Sequence, residues 1–463
     1  MNDTPLRLDR VQGNVVPGFV ADAQALLALR IVDPAAARSW LAALVPDVTT
    51  GAQVYACRAE KSFAGPWLNV ALSHAGLTAL LGTEPGLTDE AFTEGLAARS
   101  ALLGDDGHPE DWVVGSPSRP VHVLVIVAGS PQAVSRKARQ VLLRAAESGL
   151  VQVWSETGTR LGERGAAREH FGFRDGVSEP AVRGLPGGSE PFRVAPDGPQ
   201  YASPGAPLIH AGAFVFGYPR QHPSHPVRPW TPASAGPQWT DDGSYLVFRR
   251  LRQDVDRFEE FLAREGERVA EAMGWAPRAA AESLGAFLVG RWKSGAPVIR
   301  GTANGRPDND FDFTDPPDPL GLACPGGAHI RKVNPRTGHT DQGGPEDTLT
   351  RRILRRGMPY GPPHRAGDGK DRGLHFLCFQ TSIVEQFEFL TRIWSNSPSA
   401  PRGGGMDLLI GQCRGGMRAA YLHGPDGRQV TVSTAEAFVV PTGGEYLFAP
   451  STEGLRGLAE GKL

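Results

Sequence analysis

The sequence predicts an α+β protein with mostly antiparallel sheets, and three observations support that class. Predicted strands occur both as direct neighbours and separated by single helices, which is typical of α+β folds. The chain has 463 residues, enough for two or three domains. Its 58 glycines and 40 prolines exceed the average share without reaching the level of low-complexity sequence, so we expect many ordered turns and loops.

The first half of the chain contains predicted helices and strands in alternation. Apolar residues at helical spacing predict helices at 21–29 and 35–44. The segment VHVLVIVAG, at 121–129, is almost continuously apolar and β-branched, which predicts a buried strand. Helical spacing returns at 131–148, and VQVWSET at 151–157 is typical of a strand.

The second half begins with a strand prediction for AFVFGY, at 213–218, and another at 245–249. A helix is predicted at 254–272, where apolar residues again recur at helical spacing.

Two stretches rich in glycine and proline suggest a domain boundary. Residues 181–210 hold 11 such residues and residues 219–240 hold 7. They could connect two domains or form loops around a buried ligand. We place the boundary near residue 205, which gives domains of 1–205 and 206–463.

Charge and hydropathy exclude several kinds of partner. With 48 basic and 50 acidic residues, the chain has a formal net charge of −2, so we expect neither nucleic acid nor a membrane surface as its main partner. No apolar stretch approaches the length of a membrane span. The first residues lack a basic region followed by an apolar core, so we expect a cytoplasmic protein, with encapsulation or export by another route left open.

Cysteine and histidine spacing gives no zinc or iron–sulfur motif. The four cysteines are far apart and are expected to be reduced: Cys57, Cys324, Cys378 and Cys413. His222 and His225 lie in a proline-rich loop without a neighbouring acid or cysteine, so zinc binding is not favoured there. The sequence also lacks the motifs HExxH, GxSxG, GxxxxGK[ST] and a GxGxxG after a strand.

One candidate segment is REHFGFRDGVSEP, at 168–180. Asp175 precedes Gly176 and follows the aromatic residues Phe171 and Phe173. A carboxyl group in such surroundings is partly desolvated and could carry a proton. An ordinary Asp-Gly turn explains the same residues.

A second segment is CPGGAHIRKVNPR, at 324–336. His329 follows small residues, which would permit the close approach of a flat ligand, and Arg331 and Arg336 could face an anion. A haem with two propionates meets both demands, with His329 as the iron ligand. A core histidine in an ordinary strand is the alternative.

A third segment is TRRILRRGMPYG, at 350–361, with four arginines in six positions. Such a run is usually a solvated basic face. The apolar residues between the arginines imply partial burial instead, where an arginine needs an acidic partner, and Asp175 could be that partner. An acid and an arginine facing a haem iron could split hydrogen peroxide heterolytically.

In combination these segments resemble the dye-decolourising peroxidase family, and the resemblance extends over most of the chain. The other matching stretches are VQGNVVPGF, LNVALSHAGLTALLG, AFVFGYP, GSYLVFRRLRQDV, RWKSGAP, DNDFDF, LHFLCFQ and GGEYLFAPS. The resemblance implies two ferredoxin-like α+β domains, with one haem b per chain bound between sheet and helices.

The resemblance also implies roles for individual residues. His329 would be the proximal iron ligand and Asp175 the distal acid–base group. Aligning the GxPYG turn selects Arg355 as the distal arginine, with Arg356 as the alternative. The residues expected in contact with haem are Gly176, Arg331, Arg336, Leu374 and Phe376.

Three further expectations follow from the same resemblance. His375, between the two wall residues, should point to the other face of its strand, and its role is open. An acid is expected to bond the proximal histidine, and Glu385 and Glu388 are both candidates. Tyr360 and Trp394 are candidates for surface electron transfer.

Manganese is a further candidate donor, since hard oxygen ligands suit Mn²⁺. The acids that could gather are Asp256, Glu260, Glu271 and Glu282. A solvated acidic face explains them as well and is favoured.

The predicted function is that of a haem peroxidase that uses hydrogen peroxide to oxidise bulky aromatic donors, such as dyes, phenolics or lignin-related compounds. The alternative is a haem-binding or haem-handling protein in which peroxidase activity is incidental. Whether the chain forms a homo-oligomer stays open.

Overall fold

The structure is a computed structural model that describes residues 4–60, 65–186, 191, 193–194, 199–221, 231–314 and 317–463. His222 and His225 lie outside the described residues, as do parts of both glycine- and proline-rich stretches.

Fifteen strands occur in the described part of the chain. They are β1 Ala23–Ile31, β2 Trp67–Leu72, β3 Val123–Gly129, β4 Leu150–Thr159, β5 Ala181–Val182, β6 Arg193–Val194, β7 Gln200–Ser203, β8 Ala206–Ile209, β9 Ser244–Gln253, β10 Leu354–Arg355, β11 Met358–Tyr360, β12 Gly373–Gln380, β13 Arg418–His423, β14 Gln429–Thr434 and β15 Val439–Ala449.

Eleven α-helices accompany them within the same ranges. They are α1 Pro34–Leu44, α2 Gly51–Ala59, α3 His74–Leu81, α4 Glu90–Glu94, α5 Leu96–Leu103, α6 Pro131–Ala146, α7 Val255–Met273, α8 Ala280–Val289, α9 His329–Val333, α10 Pro345–Leu349 and α11 Thr452–Glu460. Two consecutive π-helical segments, Ile383–Glu388 and Leu390–Ser395, follow β12 and are called the π-helix below.

The main sheet closes on itself. Its strands follow the order β12-β11-β4-β1-β3-β2-β15-β9, and β9 pairs again with β12, while β10 adds to β12. All these pairings are antiparallel. Each half of the ring has the strand order 4-1-3-2 of a ferredoxin-like unit, β4-β1-β3-β2 and β15-β9-β12-β11. The α+β class and the antiparallel sheet are therefore confirmed, and the boundary near residue 205 stays a prediction.

Six of the predicted elements are present: the strands β3, β4 and β9 and the helices α1, α6 and α7. The helix predicted at 21–29 is wrong, because that segment forms β1. Only Arg30 of β1 is exposed, since the strand lies between β3 and β4 and is covered on both faces. A strand buried on both faces lacks polar alternation, and its alanines and leucines favour a helix by residue type.

The strand predicted at 213–218 is also wrong. A short 3₁₀ helix, Ala211–Ala213, leads into a turn there. Phe214, Val215 and Phe216 are fully buried, so the apolar run reflects burial and not strand structure.

Two layers of apolar side chains position the functional site. Inside the closed sheet, residues such as Leu26, Ile126 and Leu246 form one core. Outside the sheet, α7 and α8 pack with Phe171 and Phe173 in a separate cluster. A cavity lies between this cluster and strands β9 and β12. In the described part of the chain, no helix has the length and apolar character needed to cross a membrane.

Candidate active site

A cavity of about 310 Å³ brings most of the predicted site residues together. The predicted residues on its wall are Asp175, Gly176, His329, Arg336, Arg355, Leu374 and Phe376. Strands β9 and β12 contribute Leu251, Leu374 and Phe376, and the helical side contributes Val289 of α8 and Leu390 of the π-helix. The wall is mainly apolar, with a few polar groups, as is usual for a cofactor pocket.

Asp175 is held by a loop that depends on glycine. Gly172 and Gly176 have φ values of +89° and +72°, a region that residues with a side chain rarely adopt. The Asp175 backbone N–H donates to the Ala167 carbonyl at 3.0 Å. Its carboxylate Oδ1 accepts the Gly176 N–H at 2.6 Å. The backbone therefore fixes this carboxyl group at the cavity wall.

Arg355 lies beside Asp175 and is anchored by a second acid. Its Nη1 is 3.4 Å from Asp175 Oδ1, and its Nη2 is 2.6 Å from Glu179 Oε1. The Ser178 carbonyl accepts a further bond from Nη2 at 2.9 Å. The Glu179 carboxylate raises the pKa of Arg355, which keeps the guanidinium charged. Sequence reasoning missed Glu179, although it stands in the same segment as Asp175.

Arg356 points away from this pair. Its Nε donates to the Asn14 carbonyl at 2.9 Å, and its Nη2 donates to the Val15 carbonyl at 3.0 Å. The geometry therefore places Arg355, and not Arg356, at the cavity with Asp175.

The acidic partner of His329 is Asp407. Nδ1 of His329 lies 2.7 Å from Asp407 Oδ2. The other carboxylate oxygen of Asp407 accepts the backbone N–H groups of Leu409 and Ile410, at 2.9 and 3.1 Å. Since Asp407 occupies Nδ1, Nε2 is the nitrogen left for a ligand in the cavity.

The expectation that Glu385 or Glu388 supports the histidine is therefore wrong. Glu385 pairs with Arg351 on the surface side of the π-helix. Glu388 is fully buried and binds Arg99 and Tyr446. Both acids already have partners, and Asp407 reaches His329 from a distant part of the chain.

The two glycines before His329 serve backbone packing. A Cβ atom on Gly326 would stand 2.8 Å from the Gly403 carbonyl oxygen, and one on Gly327 would stand 2.5 Å from the Gly404 carbonyl oxygen. The expectation that these glycines admit a flat ligand is wrong, because another backbone segment fills the space.

Of the two arginines predicted to contact haem, only Arg336 lies on the cavity wall. Arg331 is buried and pairs with Asp318, with Nη1 at 2.9 Å from Oδ2, and its guanidinium stacks on Phe313. Its predicted contact with haem is therefore wrong. The short helix α9 turns Arg331 away from the cavity.

Three arginines on the cavity wall place positive charge away from solvent: Arg291, Arg336 and Arg352. Arg336 donates to the Asn309 and Phe311 carbonyls, and Arg352 has a buried Nε without a partner among the described residues. Burial lowers the pKa of Arg336, Arg352 and Arg291 to about 10 each, and all three lie on the wall. Such a cluster favours an anionic ligand. A haem, with an iron for Nε2 of His329 and two propionates for these arginines, fits the residues present.

The candidates for surface electron transfer are not at the surface. Tyr360 is 1% exposed and Trp394 is 0% exposed. The Tyr360 ring stacks on His375 at 4.9 Å, and the Arg250 guanidinium lies 4.0 Å from the ring centroid. The Trp394 indole N–H donates to Asp341 at 3.1 Å. Neither side chain is therefore itself a surface site, and the part of Tyr360 and Trp394 in electron transfer stays a prediction.

His375 points away from the cavity, as the alternation along β12 predicts. Its Nε2 lies 2.7 Å from Glu156 Oε2, and the residue is fully buried. Arg250 binds the same carboxylate. His375 thus belongs to a buried polar cluster inside the closed sheet.

The acids considered for manganese do not form a site. Asp256 instead accepts a bond from His364 at 2.9 Å. Within the described ranges, no group of three or more His, Cys, Asp or Glu side chains is placed to hold a metal ion.

Comparison with known proteins identifies the family. Residues 10–160 match the family model for the DyP dimeric alpha+beta barrel domain, and residues 214–403 match that for the Dyp-type peroxidase C-terminal domain. A "Multifunctional dye peroxidase DyP2" from Amycolatopsis sp. is 32% identical, over 97% of this chain and 96% of that protein. The chain belongs to the dye-decolorizing peroxidase family.

Two other relatives agree with this assignment. A "Dye-decolorizing peroxidase" from Mycena epipterygia is 29% identical over 99% of this chain and 88% of that protein. The solved structure of an ancestral D-type dye decolorizing peroxidase superposes with a TM-score of 0.82 at 33% identity, covering 98% of this chain and 99% of that one. As a member of this family, the protein is a peroxidase, and peroxidases of this family use haem.

Proposed function

We propose that the cavity binds one haem b per chain through His329, and that the enzyme uses hydrogen peroxide to oxidise bulky aromatic donors. One observation carries this proposal: a single cavity contains both the Asp407-supported His329 and the Asp175–Arg355 pair. A haem-handling protein has no need of the second pair.

Bound haem would supply an iron that peroxide can oxidise, and the protein would handle the protons and charge. Gly176 and Arg355 both approach Oδ1 of Asp175, so Oδ2 is the oxygen suited to carry a proton. Asp175 would take a proton from one peroxide oxygen and deliver it to the other. Arg355 would stabilise negative charge on the departing oxygen.

The remaining groups would hold the cofactor. Arg336, Arg352 and Arg291 would bind the propionates, which offsets their buried charge. Asp407 would keep the His329 ring in one orientation and make Nε2 a stronger donor to iron. Leu374 and Phe376 would limit the access of water to the distal side.

Dyes and related aromatic compounds are the donors proposed, because this chain covers most of the length of relatives whose names describe them as dye peroxidases.

The four cysteines form no disulfide in this structure, which favours a reducing compartment such as the cytoplasm. Counting free thiols in freshly purified protein tests this proposed compartment, and an intact disulfide would contradict it.

Haem titration followed by stopped-flow mixing with peroxide tests the function. We expect a Soret band on haem addition and a fast spectral change with peroxide that depends on Asp175. Haem binding without a peroxide reaction would favour the haem-handling alternative. No Soret band at all would refute both.

A further inference from the structure

A buried tyrosine and a buried glutamate form a hydrogen-bonded pair behind the cavity. Tyr446, on β15, donates its phenolic hydrogen to Glu388 Oε1 at 3.0 Å. Both residues are 0% exposed. The peroxide chemistry described above uses neither of them.

One aromatic ring separates Tyr446 from the cavity. Phe387, the residue before Glu388 in the π-helix, lies on the cavity wall. Its ring centroid is 6.2 Å from that of Tyr446 and 6.0 Å from that of Phe376, which also lines the wall. An electron could therefore pass between Tyr446 and a group in the cavity over a short, tightly packed path.

Glu388 is held in place by an arginine that it shares with two other acids. Arg99 donates to both of its oxygens, at 2.7 and 2.6 Å. The same guanidinium also pairs with Glu90 and Glu94, at 2.9 and 3.0 Å. Three carboxylates thus face one cation, and Oε1 of Glu388 accepts hydrogen bonds from both Arg99 and Tyr446.

Tyr446 needs such an acceptor. Burial raises the pKa of Tyr446 well above its ordinary value, so the phenol keeps its proton near neutral pH. Removing an electron from a neutral phenol is easiest when the proton can leave at the same time. The carboxylate of Glu388 is already within hydrogen-bond distance of that proton.

Tyr360 is less suited to oxidation. The Arg250 guanidinium lies 4.0 Å from its ring centroid, and a cation at that distance opposes the loss of an electron from the ring. Its hydroxyl contacts Asp371 at a longer 3.4 Å. Tyr360 therefore provides a matched control, since it is a second buried tyrosine without the short contact to a carboxylate.

We propose that Tyr446 is an internal electron donor that works with Glu388 as its proton acceptor. In protein oxidised by peroxide, Tyr446 gives one electron to the cofactor site and its phenolic proton to Glu388 Oε1, which leaves a neutral tyrosyl radical. A reducing substrate then returns the electron, and Glu388 returns the proton. This inference rests on the proposed function, because hydrogen peroxide acting at the cavity is the oxidant.

The test is electron paramagnetic resonance of the haem-loaded protein, frozen shortly after mixing with peroxide and without a reducing substrate. We expect a tyrosyl signal whose splitting collapses when the protein contains tyrosine deuterated at the β-carbon. The signal should be lost in Tyr446→Phe and retained in Tyr360→Phe. A signal that persists unchanged in Tyr446→Phe, or a wild-type protein without one, would overturn the proposal.

Glu388→Gln provides an independent arm. The amide can still accept the phenolic hydrogen bond but cannot take the proton, so the radical signal should again be lost. A Glu388→Gln variant with an undiminished signal would contradict the role of Glu388 as proton acceptor.

A separate optical measurement distinguishes this inference from the proposed function. Tyr446→Phe should show the Soret change with peroxide at the rate of the wild type. If the wild type shows no such change, the proposed function fails and the inference fails with it. If the change occurs but no radical depends on Tyr446, only the inference fails.

Discussion

The carboxylate of Asp407 lies 2.7 Å from Nδ1 of His329, and Asp407 itself is fully buried. Backbone N–H groups of Leu409 and Ile410 hold the second oxygen of this carboxylate. The imidazole is therefore fixed in one orientation, with Nε2 left for iron, and a buried anion increases its electron donation.

Replacing Asp407 by asparagine should weaken that donation. In Asp407→Asn we expect the Fe(III)/Fe(II) potential to rise, since a less basic imidazole stabilises the oxidised iron less. The reaction with peroxide should slow by about 10- to 100-fold, the usual cost of losing such a hydrogen-bond partner. Spectroelectrochemical titration and stopped-flow mixing measure the two effects.

Glu385→Gln is the control for that variant, because Glu385 pairs with Arg351 and not with the histidine. Its potential should match the wild type. An unchanged potential in Asp407→Asn would show that the acid does not influence the iron.

The neighbouring arginines Arg355 and Arg356 should have different effects. Arg355→Leu removes the charge beside Asp175, and we expect the peroxide reaction to slow by about 10²- to 10³-fold. Arg356→Leu removes the donor for the Asn14 and Val15 carbonyls instead. It should lower the free energy of unfolding by about 1–3 kcal/mol and leave the peroxide rate unchanged.

Stopped-flow kinetics and chemical denaturation of both variants test this difference. Equal losses of peroxide rate would show that the two guanidinium groups are not distinguished by their position in the fold.

The sequence predicted the groups that share a short segment with a recognisable motif. Asp175, His329 and Arg355 all lie on the wall of one cavity. It did not predict Asp407, because that acid lies 78 positions beyond His329 and joins it only when α9 and the segment before β13 pack together. Spacing along the chain contains no signal for such a contact.

Local sequence also failed to show which way side chains point outside regular strands. Alternation along β12 correctly separates His375 from Leu374 and Phe376, since a strand has a fixed period. In helix α9, Arg331 turns inward to Asp318, and a helix of only five residues has no periodicity that predicts the direction of this side chain. The segment of β1 resembles a helix for a related reason, because burial on both faces removes the polar alternation.

Removing Arg352 should have opposite effects on the apoprotein and on haem binding. Burial lowers the pKa of Arg352 from its ordinary value to about 10, so its charge destabilises the folded apoprotein. Arg352→Met should therefore unfold at a higher temperature without haem. Haem affinity should fall by roughly 10- to 100-fold, because a charge-assisted bond to a propionate is lost.

Arg331→Met is the matched control for this prediction. It removes the cation paired with the buried Asp318 carboxylate, which keeps only its backbone N–H donors, and should destabilise the apoprotein by about 3–5 kcal/mol, with haem affinity unchanged. Thermal unfolding and haem titration measure both quantities. A loss of apoprotein stability in Arg352→Met would contradict the inference that the Arg352 charge destabilises the protein until an anionic ligand binds.

Glu169 should make the stability of the apoprotein depend on pH. Its carboxylate accepts the Phe171 and Phe173 N–H groups, and burial raises its pKa from 4.5 to about 7. Between these values the folded chain binds more protons than the unfolded chain, so this group's contribution to stability falls as pH rises from 4.5 to about 7.

Glu169→Gln should lack that fall in stability, whereas Glu163→Gln, at an exposed position, should keep it. Burial also raises the pKa of Glu445 to about 7, but Glu445 is present in all three proteins and cancels in the differences. Urea denaturation across this pH range measures the differences, and parallel curves for wild type and Glu169→Gln would contradict the assignment.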